Sequence, residues 1–143
     1  MVRSGAEGRD GSRDSAEAGL KSLDAYLEQY STHSEELLAL QASVRDVEVK
    51  ESVAKYLLAI VAATRDHREI ELGASPRGAL ALFRASQARA LLGGRSFVSP
   101  DDVQSLAAPV LAHRLMLTTQ ARYGGTTSAA VIAGIVTAVR VPT

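Results

Sequence analysis

Five consecutive residues, Gly73-Ala74-Ser75-Pro76-Arg77, put a cation where a helix least favours one. Ser75 reads as an N-cap, its hydroxyl able to accept from the free backbone N–H groups of a first turn. Pro76 fits the first helical position, where no N–H is needed and its fixed φ is already helical. Arg77 then falls in the first turn, beside the partial positive charge of the helix macrodipole. Aspartate or glutamate is favoured there, so an arginine is unfavourable unless an anion faces it. A helix N-terminus joined to a guanidinium is suited to phosphate. The plain alternative is an exposed arginine paired with a neighbouring acid, Glu69 or Glu71.

Other chemistries find little support. A phosphate-binding P-loop ends in Gly-Lys-Ser/Thr, and none of the three lysines, Lys21, Lys50 and Lys55, follows a glycine. His33, His67 and His113 form no ligand pair at helical spacing, so no metal site is expected. The chain has no cysteine, which excludes thiol catalysis and disulfides and accords with a cytoplasmic setting. No nucleophile-elbow pattern occurs. Asp101 and Asp102 read as helix-start acids rather than catalytic carboxylates. Phe83, Phe97 and the tyrosines are dispersed among the arginines, which argues against a nucleic-acid stacking surface. Taken alone, these residues do not make an enzyme.

The elements that must hold Arg77 follow from composition and periodicity. The 143 residues suffice for one domain with a real core, and Ala and Leu dominate with aromatics at 4%. That mix predicts an all-α fold, a small bundle of about five to six helices with one or two very short extended segments. Residues 1–14 are polar and glycine-punctuated, with no apolar signal region, and are expected to be a disordered leader. Helices are predicted over Ser15–Tyr30, Glu35–Arg45, Lys50–Arg65 and Pro76–Leu92. The third carries an apolar stripe of Val53, Tyr56, Leu57, Ile60, Val61 and Thr64. The fourth is apolar nearly all round, with Arg84, Gln87 and Arg89 as its polar face, and reads as the central helix. Gly93-Gly94 ends it. Val47–Val49 reads as briefly extended, and residues 66–71 as a loop.

Ser99-Pro100-Asp101-Asp102 repeats the start signal with acids in the first turn, so the arginine at position 77 stands out against it. Pro109 is expected to kink the helix that follows. Arg114–Leu117 reads as extended, and Gly124-Gly125 precedes a last helix carrying Ile132, Ile135, Val136 and Val139. The longest uncharged run, Tyr123–Val139, holds Gly124, Gly125 and several hydroxyl residues and falls short of a membrane helix.

Charge is unevenly divided. Residues 1–72 carry 9 basic and 14 acidic side chains, whereas residues 73–143 carry 7 arginines against Asp101 and Asp102 alone. The half that contains Arg77 is therefore suited to an anion or an acidic partner surface.

Several motifs, taken together and in order, resemble a known family. Gly73-Ala74-Ser75-Pro76-Arg77-Gly78-Ala79-Leu80-Ala81-Leu82, Ala88-Arg89-Ala90-Leu91-Leu92-Gly93-Gly94-Arg95, Phe97-Val98-Ser99-Pro100-Asp101-Asp102-Val103 and Ala108-Pro109-Val110-Leu111-Ala112-His113-Arg114-Leu115 are similar to the C-terminal lid domain of MoxR-type AAA+ ATPases. The resemblance covers residues 34–143, leaving residues 15–33 as a helical connector outside it. It implies a helical lid beside a nucleotide-binding core, in a chaperone-like remodelling machine that forms homo-oligomeric rings and acts on protein clients. It implies that Arg77 is the sensor 2 arginine, with Gly73, Ser75 and Pro76 shaping the loop and helix start that aim it. ATP and Mg2+ would be held mainly by the core, whose Walker and arginine-finger motifs are not in this sequence, so none is expected on the isolated chain. The chain is then an excised lid or a truncated product. His113-Arg114 also matches the family, with core packing or a contact to a neighbouring subunit expected for it rather than catalysis. The competing reading is a free-standing helical module whose basic half docks an acidic partner.

Overall fold

The structure is a computed structural model and describes residues 10–143. Its elements are α1 (Asp10–Val44), α2 (Glu51–Arg65), β1 (Ile70–Leu72), α3 (Pro76–Leu92), α4 (Pro100–Leu111), β2 (Met116–Leu117), α5 (Thr119–Tyr123) and α6 (Ser128–Ala138). A 3-10 turn, Ala112–Arg114, follows α4 directly. The all-α reading holds, with a two-stranded sheet as its only ladder among the described residues. The chain divides between Ala42 and Ser43 into two compact units.

The first unit is α1. The helices expected over Ser15–Tyr30 and Glu35–Arg45 are one continuous helix. Ser31 to Ser34, the expected break, contains neither Gly nor Pro. Thr32 and Ser34 turn their hydroxyls back onto the carbonyls of Glu28 and Tyr30, at 3.0 and 2.8 Å. A hydroxyl satisfied inside the helix has no need to cap a new one. Of the leader expected over residues 1–14, residues 1–9 lie outside the described residues and residues 10–14 begin α1.

The second unit is a bundle in which α2, α3, α4 and α6 each contribute a fully buried side chain, respectively Ile60, Leu82, Leu111 and Ile132. The predicted stripe of α2 is its buried face, residue for residue. The central position belongs to α4, which packs on α3, α6 and α2, and not to α3 as its apolar surface suggested. Half of the apolar residues around α3 are alanines, too small to demand burial on every side. Only one face is buried, and Leu80 and Leu92 stay 56% and 80% exposed. Gln87, read as part of the polar face, is instead buried, its amide donating to the Val47 carbonyl at 2.8 Å.

Short extended pieces tie the bundle at its edges. The Glu48 N–H donates to Ser96 O and Glu48 O accepts from the Val98 N–H, both at 2.9 Å, which accounts for the extended character of Val47–Val49. Residues 66–71 are not wholly loop, because Ile70 opens β1 and pairs antiparallel with Leu117 of β2, both side chains buried. Arg114 belongs to the 3-10 turn and only Met116 and Leu117 are in the strand. α5, five residues capped by the Thr118 hydroxyl, is too short to show a period in the sequence.

Candidate functional site at the start of α3

The expected cap is formed. Ser75 has an extended backbone, its hydroxyl accepts from the Gly78 N–H at 3.3 Å, and Pro76 takes the first helical position. Arg77 follows in the first turn and is exposed. The ion pairs among the described residues are Lys55–Glu51, Arg89–Asp102 and Arg95–Asp102, so Arg77 is bridged neither to Glu69 nor to Glu71. The pairing that would have made Arg77 an ordinary surface arginine does not form.

The loop that delivers Arg77 is pinned to the last turn of α2. Thr64 is fully buried; its hydroxyl donates to Val61 O at 2.6 Å and accepts from the Ala74 N–H at 2.9 Å. One residue on, the Arg65 Nε donates to the Ala74 carbonyl at 3.0 Å. Both backbone groups of Ala74 are thereby fixed by consecutive residues of one helix. Gly73 lies so close to that helix that a Cβ would come within 2.8 Å of the Arg65 backbone N and Cα. Those are backbone atoms and cannot swing aside, so Gly73→Ala is expected to cost about 1–3 kcal/mol through displacement of the loop. Thermal melts of the two proteins check this.

Sequence reasoning placed Thr64 in an apolar stripe and gave Arg65 no part. The only signal was a hydroxyl residue at a core position, which demands a polar partner. A cavity of about 590 Å³ opens beside the loop, walled by Arg65, Glu71, Leu72, Arg114 and the residues from Gly73 to Pro76. Gly73, Ser75 and Pro76 all line this cavity, and Arg114 joins them. Arg77 is not among the walls; it follows the last of them in the chain.

The second charged cluster lies at the start of α4. Asp102, with its side chain 3% exposed, accepts from Arg95 Nη1 and Nη2 at 2.7 Å each, and from the Ser99 N–H and hydroxyl at 2.8 and 2.9 Å. Arg89 Nε stands 3.4 Å away. The two guanidinium bonds of Arg95 are the largest cause that holds the Asp102 carboxyl down, to about 2, with burial opposing. The same hydrogen bonds raise the pKa of Arg95 above its ordinary value. Asp102 is therefore a structural carboxylate that clamps the α3–α4 turn. No group of His, Asp or Glu among the described residues could hold a metal, and no described helix is long and apolar enough to cross a membrane.

The fold is that of a small helical bundle, with Arg77 at the start of α3 in no ion pair among the described residues. The comparisons with known proteins name it. Residues 62–135 match the model of the AAA lid domain, which is more than half of the chain. The YeaC protein of Bacillus subtilis is 44% identical over 108 residues, spanning 76% of this chain and 34% of that protein. "Chaperone MoxR1" of Mycobacterium tuberculosis is 35% identical over 92 residues, 58% of this chain and 24% of its own. A crystal structure of a candidate ATPase from Cytophaga hutchinsonii superposes with a TM-score of 0.68 at 30% identity, over 71% of this chain and 34% of that one. The chain belongs to the AAA lid domain family and is a lid of the MoxR type. It spans about a third of the length of YeaC and of the Cytophaga protein.

Proposed function

We propose that this chain is the sensor 2 lid of a MoxR-type AAA+ ATPase, in which Arg77 faces the phosphates of ATP. The observation that carries this is Arg77 itself: exposed in the first turn of α3, unpaired with any carboxylate among the described residues, and mounted on a loop fixed to α2. ATP and Mg2+ would be held mainly by a nucleotide-binding core, with residues 15–33 as the connector towards it. A guanidinium carried on a rigid bundle moves with that bundle as one body. It favours the closed arrangement while a γ-phosphate is present and loses that partner on hydrolysis, so nucleotide state becomes domain angle. In a cytoplasmic ring of such subunits, that motion would act on protein clients.

The direct test is ATP turnover after Arg77→Ala in a protein that carries this lid beside its core. A second test uses this chain alone. One arginine and one helix end form a partial site, so ATP titrated calorimetrically should bind weakly, in the millimolar range or beyond detection. Micromolar affinity would overturn the partial-site reading and favour a self-contained nucleotide domain.

A further inference from the structure

Arg114 is the part of the resemblance to which the site so far gives no role. It ends the 3-10 turn after α4, far from Arg77 in sequence, yet lies at the same place in the fold. Its Cδ is 3.5 Å from where a Cβ on Gly78 would stand, and Gly78 directly follows Arg77. It walls the cavity beside Ser75 and Pro76. Its Nε donates to Val110 O at 3.2 Å, which satisfies a carbonyl at the end of α4. An arginine has five N–H donors, and that bond takes one. The side chain is exposed, and none of the ion pairs among the described residues involves it.

A residue present only to close α4 would need no stem reaching the first turn of another helix. Glu71 is the one carboxylate on the cavity wall, and it bridges neither Arg114 nor Arg65. Arg65 is committed to the Ala74 carbonyl and braces the loop. Arg114 likewise spends only its Nε among the described residues, but its stem lies against Gly78, directly after Arg77, whereas Arg65 lies under Gly73.

We infer that Arg114 is a second anion-binding cation of this site, mounted on the same rigid unit as Arg77, and that the two guanidinium groups receive the oxygens of one polyphosphate. This rests on the reading of Arg77 as phosphate-facing and adds a residue to it. Two cations whose helices are joined by the α3–α4 packing belong to one unit, so closure of the lid brings both to the phosphates together. Either alone would bind one oxygen without fixing the direction of approach.

The test uses the 143-residue chain, uniformly labelled with nitrogen-15, and inorganic triphosphate at low salt. The Nε–Hε signals of Arg77 and Arg114 and the amides of Gly78 and Ala79 are followed. All four are expected to move together with one millimolar-range constant. Arg114→Ala should weaken that constant about threefold, Arg114→Lys should recover part of it, and Arg140→Ala should leave it alone. Unmoved α6 amides confirm that each variant is folded, and Arg114→Gln repeats the measurement if the alanine variant is not. Equal behaviour of Arg114→Ala and Arg140→Ala would overturn the inference, as would an absence of shifts in the unaltered chain. Loss of binding on Arg77→Ala with none on Arg114→Ala removes only the second cation. The reverse result overturns both the two-cation site and the reading of Arg77 on which it rests.

Discussion

Arg77→Ala, in a protein that carries this lid together with its nucleotide-binding core, is expected to lower ATP turnover about a hundredfold or more while the lid stays folded. The magnitude follows from the proposed place of the charge beside the phosphates. A preorganised donor aimed at developing phosphate charge contributes about 3–4 kcal/mol when water is excluded, much more than the same contact in water. The fold should be insensitive because Arg77 is exposed and makes no ion pair among the described residues. Removing a cation from the positive end of a helix is, if anything, slightly stabilising. Turnover and thermal melting must therefore separate: a large fall in kcat beside an unchanged or slightly higher Tm. Arg77→Lys should recover only part of the rate, since an ammonium keeps the charge and loses the planar fork. Unchanged turnover in the alanine variant would show that the arginine is not a sensor, whatever the family.

How far the sequence foresaw this site depends on the range of each interaction. The Ser75 cap, Pro76 and the exposed Arg77 are local, set by residues within one turn, and local signals read reliably. The α2 stripe likewise needs only one helix and one period. What the sequence hid is the set of contacts between distant segments. Thr64 reaches Ala74, Gln87 reaches Val47, and Arg114 lies against Gly78, and no pattern in the chain announces such pairs. The break expected at Ser31–Ser34 failed for a different reason. Hydroxyl residues favour helix starts, but they can also bond back within a helix, and without Gly or Pro nothing forced the first outcome. The misplaced centre of the bundle comes from alanine, which sits comfortably on a surface helix, so an apolar circumference half made of it says little about burial.

Asp102→Ala should be the most damaging single change in the bundle outside its aliphatic core, with a loss of about 3 kcal/mol. The carboxylate is nearly buried and is the common acceptor for Arg95, the Ser99 N–H and the Ser99 hydroxyl. Its removal leaves a half-buried guanidinium unpaired and frees the start of α4, the helix that contacts α3, α6 and α2. The estimate stays at the lower end for a broken buried pair because Arg95 is 34% exposed and Arg89 52%, so both can turn to water. Acid should reproduce part of this effect. The Asp102 carboxyl is depressed to about 2, chiefly by Arg95, so the folded state prefers it ionised. A depressed carboxylate contributes stability that is complete above its unfolded value near 4, and that is lost as pH falls from about 4 to about 2. Solvent around Arg95 trims that contribution to about 1 kcal/mol. Denaturant melts at pH 7, 4 and 2.5 are the measurement. The unaltered chain should lose stability across the acid range, and Asp102→Asn should lose less of it there, since it has no charge to forfeit. Parallel pH profiles for the two proteins would show that the clamp at the α3–α4 turn is not electrostatic.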